Sequence, residues 1–291
     1  MGHNFFSDMT SEEFFEYNSL DQPLPDHDRP EEPALEQSNA SLSSEDVAIK
    51  ERRRGLRKAA STTVSETETL PSSVDWVEAG AVTSIKDQQS CGSCWGFAAI
   101  AAVESANILT GTGEVINASE QELVDCSMLN SGCSGGWYDW AWIYMLRTGG
   151  VASEEDYPYT ASDDTCQASS VDVSNMPGTQ IDSYVYVERF STSALMEALT
   201  ITPVAIAFDA SASFQLYSSG VFDGDCSTSV NHAVLAVGYG TTDEGEDYWL
   251  LKNSWGENFG EDGYVKMARD PTEEDSAGKC GILEYPMYPK F

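Results

Sequence analysis

The sequence predicts an α+β protein of two lobes, one helical and one β-rich, with a cleft between them. Three observations carry this. Helical patterns concentrate between residues 93 and 149, short strand-like runs take over beyond about residue 179, and all seven cysteines and seven tryptophans lie after residue 69.

The first helix is predicted from Ser93 to about Leu109, apolar almost all round and therefore buried. A second begins at Ser119, where Ser119 and Glu122 have the spacing of a capping box. A third, aromatic, runs from Trp137 to about Arg147 and stops at Gly149-Gly150. Strands are expected over Ile181–Val187, Val204–Phe208, His232–Val237, Tyr248–Lys252 and Gly263–Ala268, each broken from the next by Gly, Asp and Ser clusters. No internal repeat is visible.

A chain of 291 residues with 41% hydrophobic and 11% aromatic residues is long and apolar enough to bury a sizeable core. Its longest apolar run, Phe97 to Val103, is far too short to cross a bilayer. The formal charge of −33 gives no electrostatic reason to approach nucleic acid or an anionic membrane. The excess reads as a solvated acidic surface, or as adaptation to an acidic or saline compartment.

Residues 1–69 hold 15 acids and 7 bases without cysteine or tryptophan, and residues 21–69 read as a poorly ordered linker. Its one basic cluster, KERRRGLRK (50–58), is either a solvated run or a protease-sensitive processing segment. The N-terminus has neither the basic start nor the apolar stretch of a signal peptide. Seven cysteines suggest three disulfides and one free thiol in an oxidising compartment. Either the chain is not exported, or its true beginning is missing from this sequence.

The chemistry concentrates at Cys94. It stands where the loop Gln88 to Ser93 enters the apolar helix, facing unpaired N–H groups and the positive end of the dipole. Both favour the thiolate, the attacking form of a cysteine, and the same N–H groups can stabilise an oxyanion. Histidine occurs only at 3, 27 and 232, the first two in the excluded segment. Any imidazole chemistry in the folded region therefore falls to His232.

CGSCW (91–95), followed by a downstream histidine and asparagine, resembles the papain and cathepsin family of cysteine peptidases. The resemblance runs from LPSSVDW (70–76) to Pro289. It takes in SEQELVDC (119–126), GCSGG (132–136), NHAVLAVGYG (231–240) and YWLLKNSWGENFGEDGYVKMAR (248–269). It implies a papain-like fold with a helical left lobe at about 79–178, an antiparallel β-barrel-like right lobe at about 179–291, and the active site between them. It also implies a cysteine endopeptidase with Cys94 as nucleophile, His232 as base, Asn253 as the group that fixes the imidazole tautomer, and Gln88 with the Cys94 N–H as oxyanion hole. Trp255 would cover the His232–Asn253 contact. Gly135, Gly136, Trp137, Ala207, Val230 and Tyr285, with Trp255, would contact substrate, and the mostly apolar pocket predicts a hydrophobic or aromatic residue two before the scissile bond. Six cysteines allow 15 connectivities; the resemblance implies Cys91–Cys133, Cys126–Cys166 and Cys226–Cys280, leaving Cys94 free. No cofactor and no metal are implied. The implied partners are protein or peptide substrates, the chain's own propeptide and cystatin-like inhibitors, for a monomer in a lysosome or vacuole or outside the cell.

The sequence departs from the family at Gln89, where glycine is usual; a positive φ there costs glutamine about 1 kcal/mol. GHNFFSD (2–8) and MTSEEF (9–14) resemble the C-terminal half of an inhibitory propeptide whose preceding helices are absent, which suggests a truncated gene model of a secreted zymogen. With one histidine after residue 69 there is no paired-histidine occluding loop, so an endopeptidase is favoured over an exopeptidase. Asn39-Ala40-Ser41 and Asn117-Ala118-Ser119 are N-glycosylation sequons.

Rival readings are weaker. Cys91-x-x-Cys94 alone fits a thiol–disulfide redox pair, but the βαβ context is missing. No paired ligand clusters support structural zinc, and Gly238-x-Gly240 is too slight for a nucleotide site. The alternative from another class is an inactive peptidase-fold protein that binds or stores. The residues after 69 carry a formal −25, so activity and stability are expected to favour mild acidity as carboxylates protonate.

Overall fold

Helix α1 (Cys94–Thr110) is buried along its length from Cys94 to Asn107, because its residues are apolar almost all round, with Glu104, Ser105 and Asn107 as buried polar exceptions. In this computed structural model the described residues are 70–171, 176–210, 213–270 and 276–291. The N-terminal expectations (the propeptide-like and linker segments, the basic cluster, His3, His27 and the Asn39 sequon) lie outside them.

Two further helices pack around α1. Helix α2 (Glu120–Cys126) is capped by Ser119, whose Oγ accepts from the Glu122 N–H. The box is only half formed: the Glu122 carboxylate turns instead to the Ala152 N–H and the Tyr144 hydroxyl. Helix α3 (Tyr138–Thr148) ends at Gly149 in the left-handed conformation, a stop that glycine makes without steric cost. A fourth helix, α4 (Thr192–Leu199), was not among the sequence expectations, although Ser191 caps it and Ala194, Leu195, Ala198 and Leu199 have helical spacing.

The sheet comprises β1 (Val74–Asp75), β2 (Ser183–Tyr186), β3 (Val204–Phe208), β4 (Val221–Phe222), β5 (His232–Thr241), β6 (Asp247–Lys252), β7 (Tyr264–Ala268) and β8 (Met287–Lys290). Its order is β2-β8-β3-β5-β6-β7-β4, with β1 paired to β5, and every pairing is antiparallel except β4 with β7. The short strands β1, β4 and β8 escaped the sequence reading.

The two central strands explain how the cores are divided. Along β3, Val204, Ile206 and Phe208 enter one core cluster, while Ala205 and Ala207 enter the other. Along β5, Val234 and Ala236 join the first, and Ala233, Leu235 and Val237 the second. Side chains alternate across a strand, so a strand buried on both faces reads as an unbroken apolar run. The first core gathers α4 and the aromatic residues Phe214, Trp255 and Phe259. The second gathers α1, α2 and α3. Alanines 205, 207 and 233 on the α1 side leave room for the helix start, and Cys94 belongs to the same cluster.

The segment before α1 is anchored to the one after β6. Gln88 N–H donates to Ser254 O at 2.8 Å, Gly256 N–H to Lys86 O at 3.1 Å, and Asp87 and Trp255 form an isolated bridge. Gln89 has φ 53°, with its N–H on Asp87 Oδ1 at 2.8 Å. This exposed side chain therefore sits in a region that glycine occupies more cheaply. Gln89→Gly is expected to raise unfolding stability by about 1 kcal/mol, read as a higher denaturant midpoint at unchanged m-value; an unchanged or lowered midpoint contradicts the strain.

Candidate active site

Cys94 opens α1 and is completely buried. The backbone N–H groups of Ala233, Trp95 and Cys94 itself favour its thiolate. Ala233 follows His232 at the start of β5, so the sheet brings the imidazole to the helix terminus. The turn before it is held by Asn231, whose Oδ1 accepts from Ala210 N–H and whose Nδ2 donates to Asp209 Oδ1.

The tautomer of His232 follows from its partner. Asn253 Oδ1 accepts the Ser254 N–H at 2.9 Å, which identifies that atom as the amide oxygen. The same oxygen lies 2.8 Å from His232 Nε2, so Nε2 must carry the hydrogen. Nδ1 is then the lone-pair nitrogen, and it is buried with no hydrogen-bond partner among the described residues. Trp255 stacks on the imidazole with ring centroids 4.6 Å apart at 29°, backed by Phe214 and Phe259.

Burial sets the protonation of the pair. It pushes the Cys94 thiol up to about 12, against the three N–H groups that favour the thiolate. It also pushes His232 down to about 4, against the Asn253 bond that favours the cation. Burial thus opposes either ion alone, while the backbone N–H groups favour the thiolate and the Asn253 bond favours the imidazolium.

Gln88 is also fully buried, and its amide is oriented from both sides. Ser254 Oγ–H donates to Oε1 at 2.7 Å, and Nε2 donates to Cys91 O at 3.0 Å. Its backbone oxygen accepts from the Tyr159 hydroxyl at 2.8 Å. The disulfides join Cys91 to Cys133, Cys126 to Cys166 and Cys226 to Cys280, and Cys94 is the free cysteine.

The expected substrate-contacting residues gather as one apolar group. Trp137 and Tyr285 rings meet at 4.9 Å, Ala207 pairs in register with Ala233, and half-buried Val230 packs against the same cluster. Gly135 has φ 119°, and a Cβ at Gly136 would come within 2.3 Å of Asn130 Oδ1, the oxygen that holds the Trp137 N–H. Both glycines thus shape the chain leading to Trp137. Trp255 stands apart from this group, against His232 in the other core.

Several supporting groups were missed by sequence reasoning. Lys86 Nζ bonds Glu104 Oε1 at 3.0 Å and Glu120 Oε1 at 2.7 Å, and Lys252 Nζ reaches Glu104 through the Thr83 hydroxyl. Burial works to lower Lys86, but the carboxylates of Glu120 and Glu104 outweigh it and hold the amine above its ordinary range. Burial lifts Glu120 to about 7 and lowers Lys252 to about 8. Among the described residues no group of three or more His, Cys, Asp or Glu side chains could hold a metal ion, and no helix is long and apolar enough to cross a membrane.

With this geometry in place, comparison with known proteins is informative. Residues 70–290 match the sequence model of the papain family cysteine proteases, and the chain belongs to that family. It is 49% identical over 224 residues to the probable cysteine protease RD21B of Arabidopsis thaliana, covering 76% of this chain and 47% of the relative. The chain thus spans about half the length of that relative. Against zingipain-2 of Zingiber officinale the identity is 46%, over 76% of this chain and 96% of the relative. Among solved structures, bromelain of Ananas comosus in an inhibitor complex superposes with TM-score 0.71 at 45% identity, covering 76% of this chain and 99% of that one. A recombinant stem bromelain precursor gives 0.78 at 38% identity, covering 100% and 83%.

The buried neutral imidazole has a measurable cost in acid. His232 has a folded value near 4 against an ordinary 6.5, so between these limits the unfolded chain binds more protons. Its contribution is complete above about 6.5 and is lost as pH falls through about 4, on the order of 3 kcal/mol in all. The unfolding free energy of the natural chain should fall more steeply over that window than that of His232→Gln. Parallel profiles would contradict a buried, uncharged His232.

Proposed function

We propose that the chain is a cysteine endopeptidase that hydrolyses peptide bonds through a thioester intermediate. The observation that carries this is the Asn253 oxygen, which commits the Nε2 hydrogen of His232 and leaves a lone pair on Nδ1, one residue before the Ala233 N–H that favours the Cys94 thiolate. In this reading Nδ1 takes the proton from the Cys94 thiol as the sulfur attacks the scissile carbonyl carbon. The charges of thiolate and imidazolium arise together, which makes burial tolerable for the pair although it opposes either ion alone. The oxyanion accepts hydrogen bonds from the Cys94 N–H and Gln88 Nε2. The imidazolium then protonates the leaving amine, and the C–N bond breaks to leave the thioester. Water, deprotonated by His232, releases the acid and restores the thiol.

The domain organisation proposed with this function is a partial inhibitory propeptide and acidic linker over residues 1–69 and a peptidase domain over 70–291, its lobes meeting near residue 179. Precursor structures among the similar proteins support the propeptide part. Three disulfides favour an oxidising compartment, so a vacuole, a lysosome or the cell exterior is proposed. The apolar group of Trp137, Ala207, Val230 and Tyr285 favours a hydrophobic or aromatic side chain two residues before the scissile bond.

An epoxide or vinyl-sulfone thiol trap should label the natural chain and not Cys94→Ala, and that variant should lose at least about 10³-fold in kcat. A natural chain that is neither labelled nor active would favour the inactive binding or storage alternative. A peptide library profiled on the active protein should select apolar residues at the second position; selection of arginine there would overturn the pocket assignment.

A further inference from the structure

The inference below rests on the proposed cysteine chemistry and concerns a residue outside it. Serine is among the best residues for capping a helix, because its Oγ accepts an N–H from the first turn. Ser93 occupies that position before α1, is completely buried, and makes no such bond. Its Oγ lies instead 2.6 Å from the hydroxyl of Tyr159, 66 residues further along the chain.

The direction of the hydrogens can be worked out. Gln88 O is a carbonyl and can only accept, so the Tyr159 hydroxyl spends its single proton there, at 2.8 Å. The phenol oxygen must therefore accept from Ser93, whose proton is then committed. The relay is Ser93 Oγ–H to Tyr159 Oη–H to Gln88 C=O. It joins the residue before the nucleophile to the residue expected to donate to the oxyanion.

Tyr159 is well placed to keep this geometry. Its ring meets Phe97, one turn into α1, edge-on at 4.9 Å. Its N–H is held by Glu154 Oε1 at 2.8 Å, and the next N–H by Gln121 Oε1 at 2.9 Å. Burial keeps the phenol protonated, against the bond from Ser93.

The consequence lies in the first turn of the helix. The N–H groups of Cys94 and Trp95 favour the thiolate, and Trp95 N–H is one that a capping serine would take. We propose that Tyr159 is a positioning residue: by holding the Ser93 hydroxyl away from the first turn and fixing the Gln88 carbonyl, it reserves the backbone donors of α1 for the sulfur and the oxyanion. A serine that would otherwise cap the helix is thereby kept from competing with the chemistry.

The test uses the full chain and two readouts: kcat on a peptide with an apolar second residue, and the pH profile of Cys94 alkylation by iodoacetamide. Tyr159→Phe keeps the ring and frees Ser93. It should lower kcat about tenfold with KM within about twofold, since one donor is diverted in the transition state, and should move the alkylation profile upward by about one pH unit. Ser93→Ala/Tyr159→Phe has no hydroxyl left to cap and should recover most of the lost kcat and return the profile. A general packing defect would not be rescued by a second truncation. The proposal is overturned if Tyr159→Phe matches the natural chain in both readouts, or if the double variant is no better than the single. Should Tyr159→Phe fail to fold, the double variant decides alone: a natural alkylation profile supports the role, and a shifted profile or a second failure to fold overturns it. If the natural chain cleaves no peptide, the proposed function fails while the alkylation profiles still judge Tyr159.

Discussion

The site depends on one oxygen atom. Asn253 Oδ1 accepts both the Ser254 N–H and the His232 Nε2–H, and this double acceptance removes the ambiguity that an amide and an imidazole each carry. A reversed amide would set its NH₂ against the Ser254 N–H, and a reversed tautomer would leave two lone pairs facing each other. The fold has one arrangement without such a clash, and in it the free lone pair of His232 is Nδ1. Trp255 then covers the imidazole, so the contact is made in a dry environment where hydrogen bonds are electrostatically stronger.

That oxygen is itself held from behind. Lys252, immediately before Asn253, reaches through Thr83 to Glu104, and Glu104 lies on the helix that begins with Cys94. Lys86, two residues before Gln88, bonds the same Glu104 and Glu120. The buried charges thus join the segment bearing Gln88, the helix bearing Cys94 and the strand end bearing Asn253. Such networks add little net stability, since desolvation offsets the attraction, while removing one partner costs about 3–5 kcal/mol. Their value here is geometric: the segments that carry Gln88, Cys94 and Asn253 are tied to one another by short polar contacts within the core.

How much of this was legible in the sequence depended on the kind of signal. Helix α1 and strands β3, β5 and β6 were readable because long apolar runs have no other stable place. Cys94, His232, Asn253 and Gln88 stood out as candidates because their motifs are distinctive and the chain has only three histidines. The helix over Thr192–Leu199 was missed because its eight residues carry a brief period amid strand-like texture. Strands β1, β4 and β8 were missed because two to four residues do not establish a period. Tyr159 and the Lys86 cluster left no local trace at all. Tyr159 meets residues 66 and 71 positions away, and Glu104 reads in sequence as a stray acid in an apolar helix. The burial around Cys94 is invisible for a related reason: the helix terminus can be read in the sequence, and complete burial cannot.

The acidic composition and the buried groups bear on pH in opposite ways, and the balance can be argued. Between about 6.5 and 4 the folded chain loses the contribution of uncharged His232. Glu120 acts in the other sense. Its folded value near 7 lies above its ordinary 4.5, so its contribution is complete below 4.5 and is lost as pH rises through 7. The two groups thus act in opposite senses across mild acid. Beside them stands the self-repulsion of a chain with 48 acids and 15 bases, which eases as surface carboxylates protonate. A preference for mild acidity therefore arises from the acidic surface, while the buried groups act in both directions.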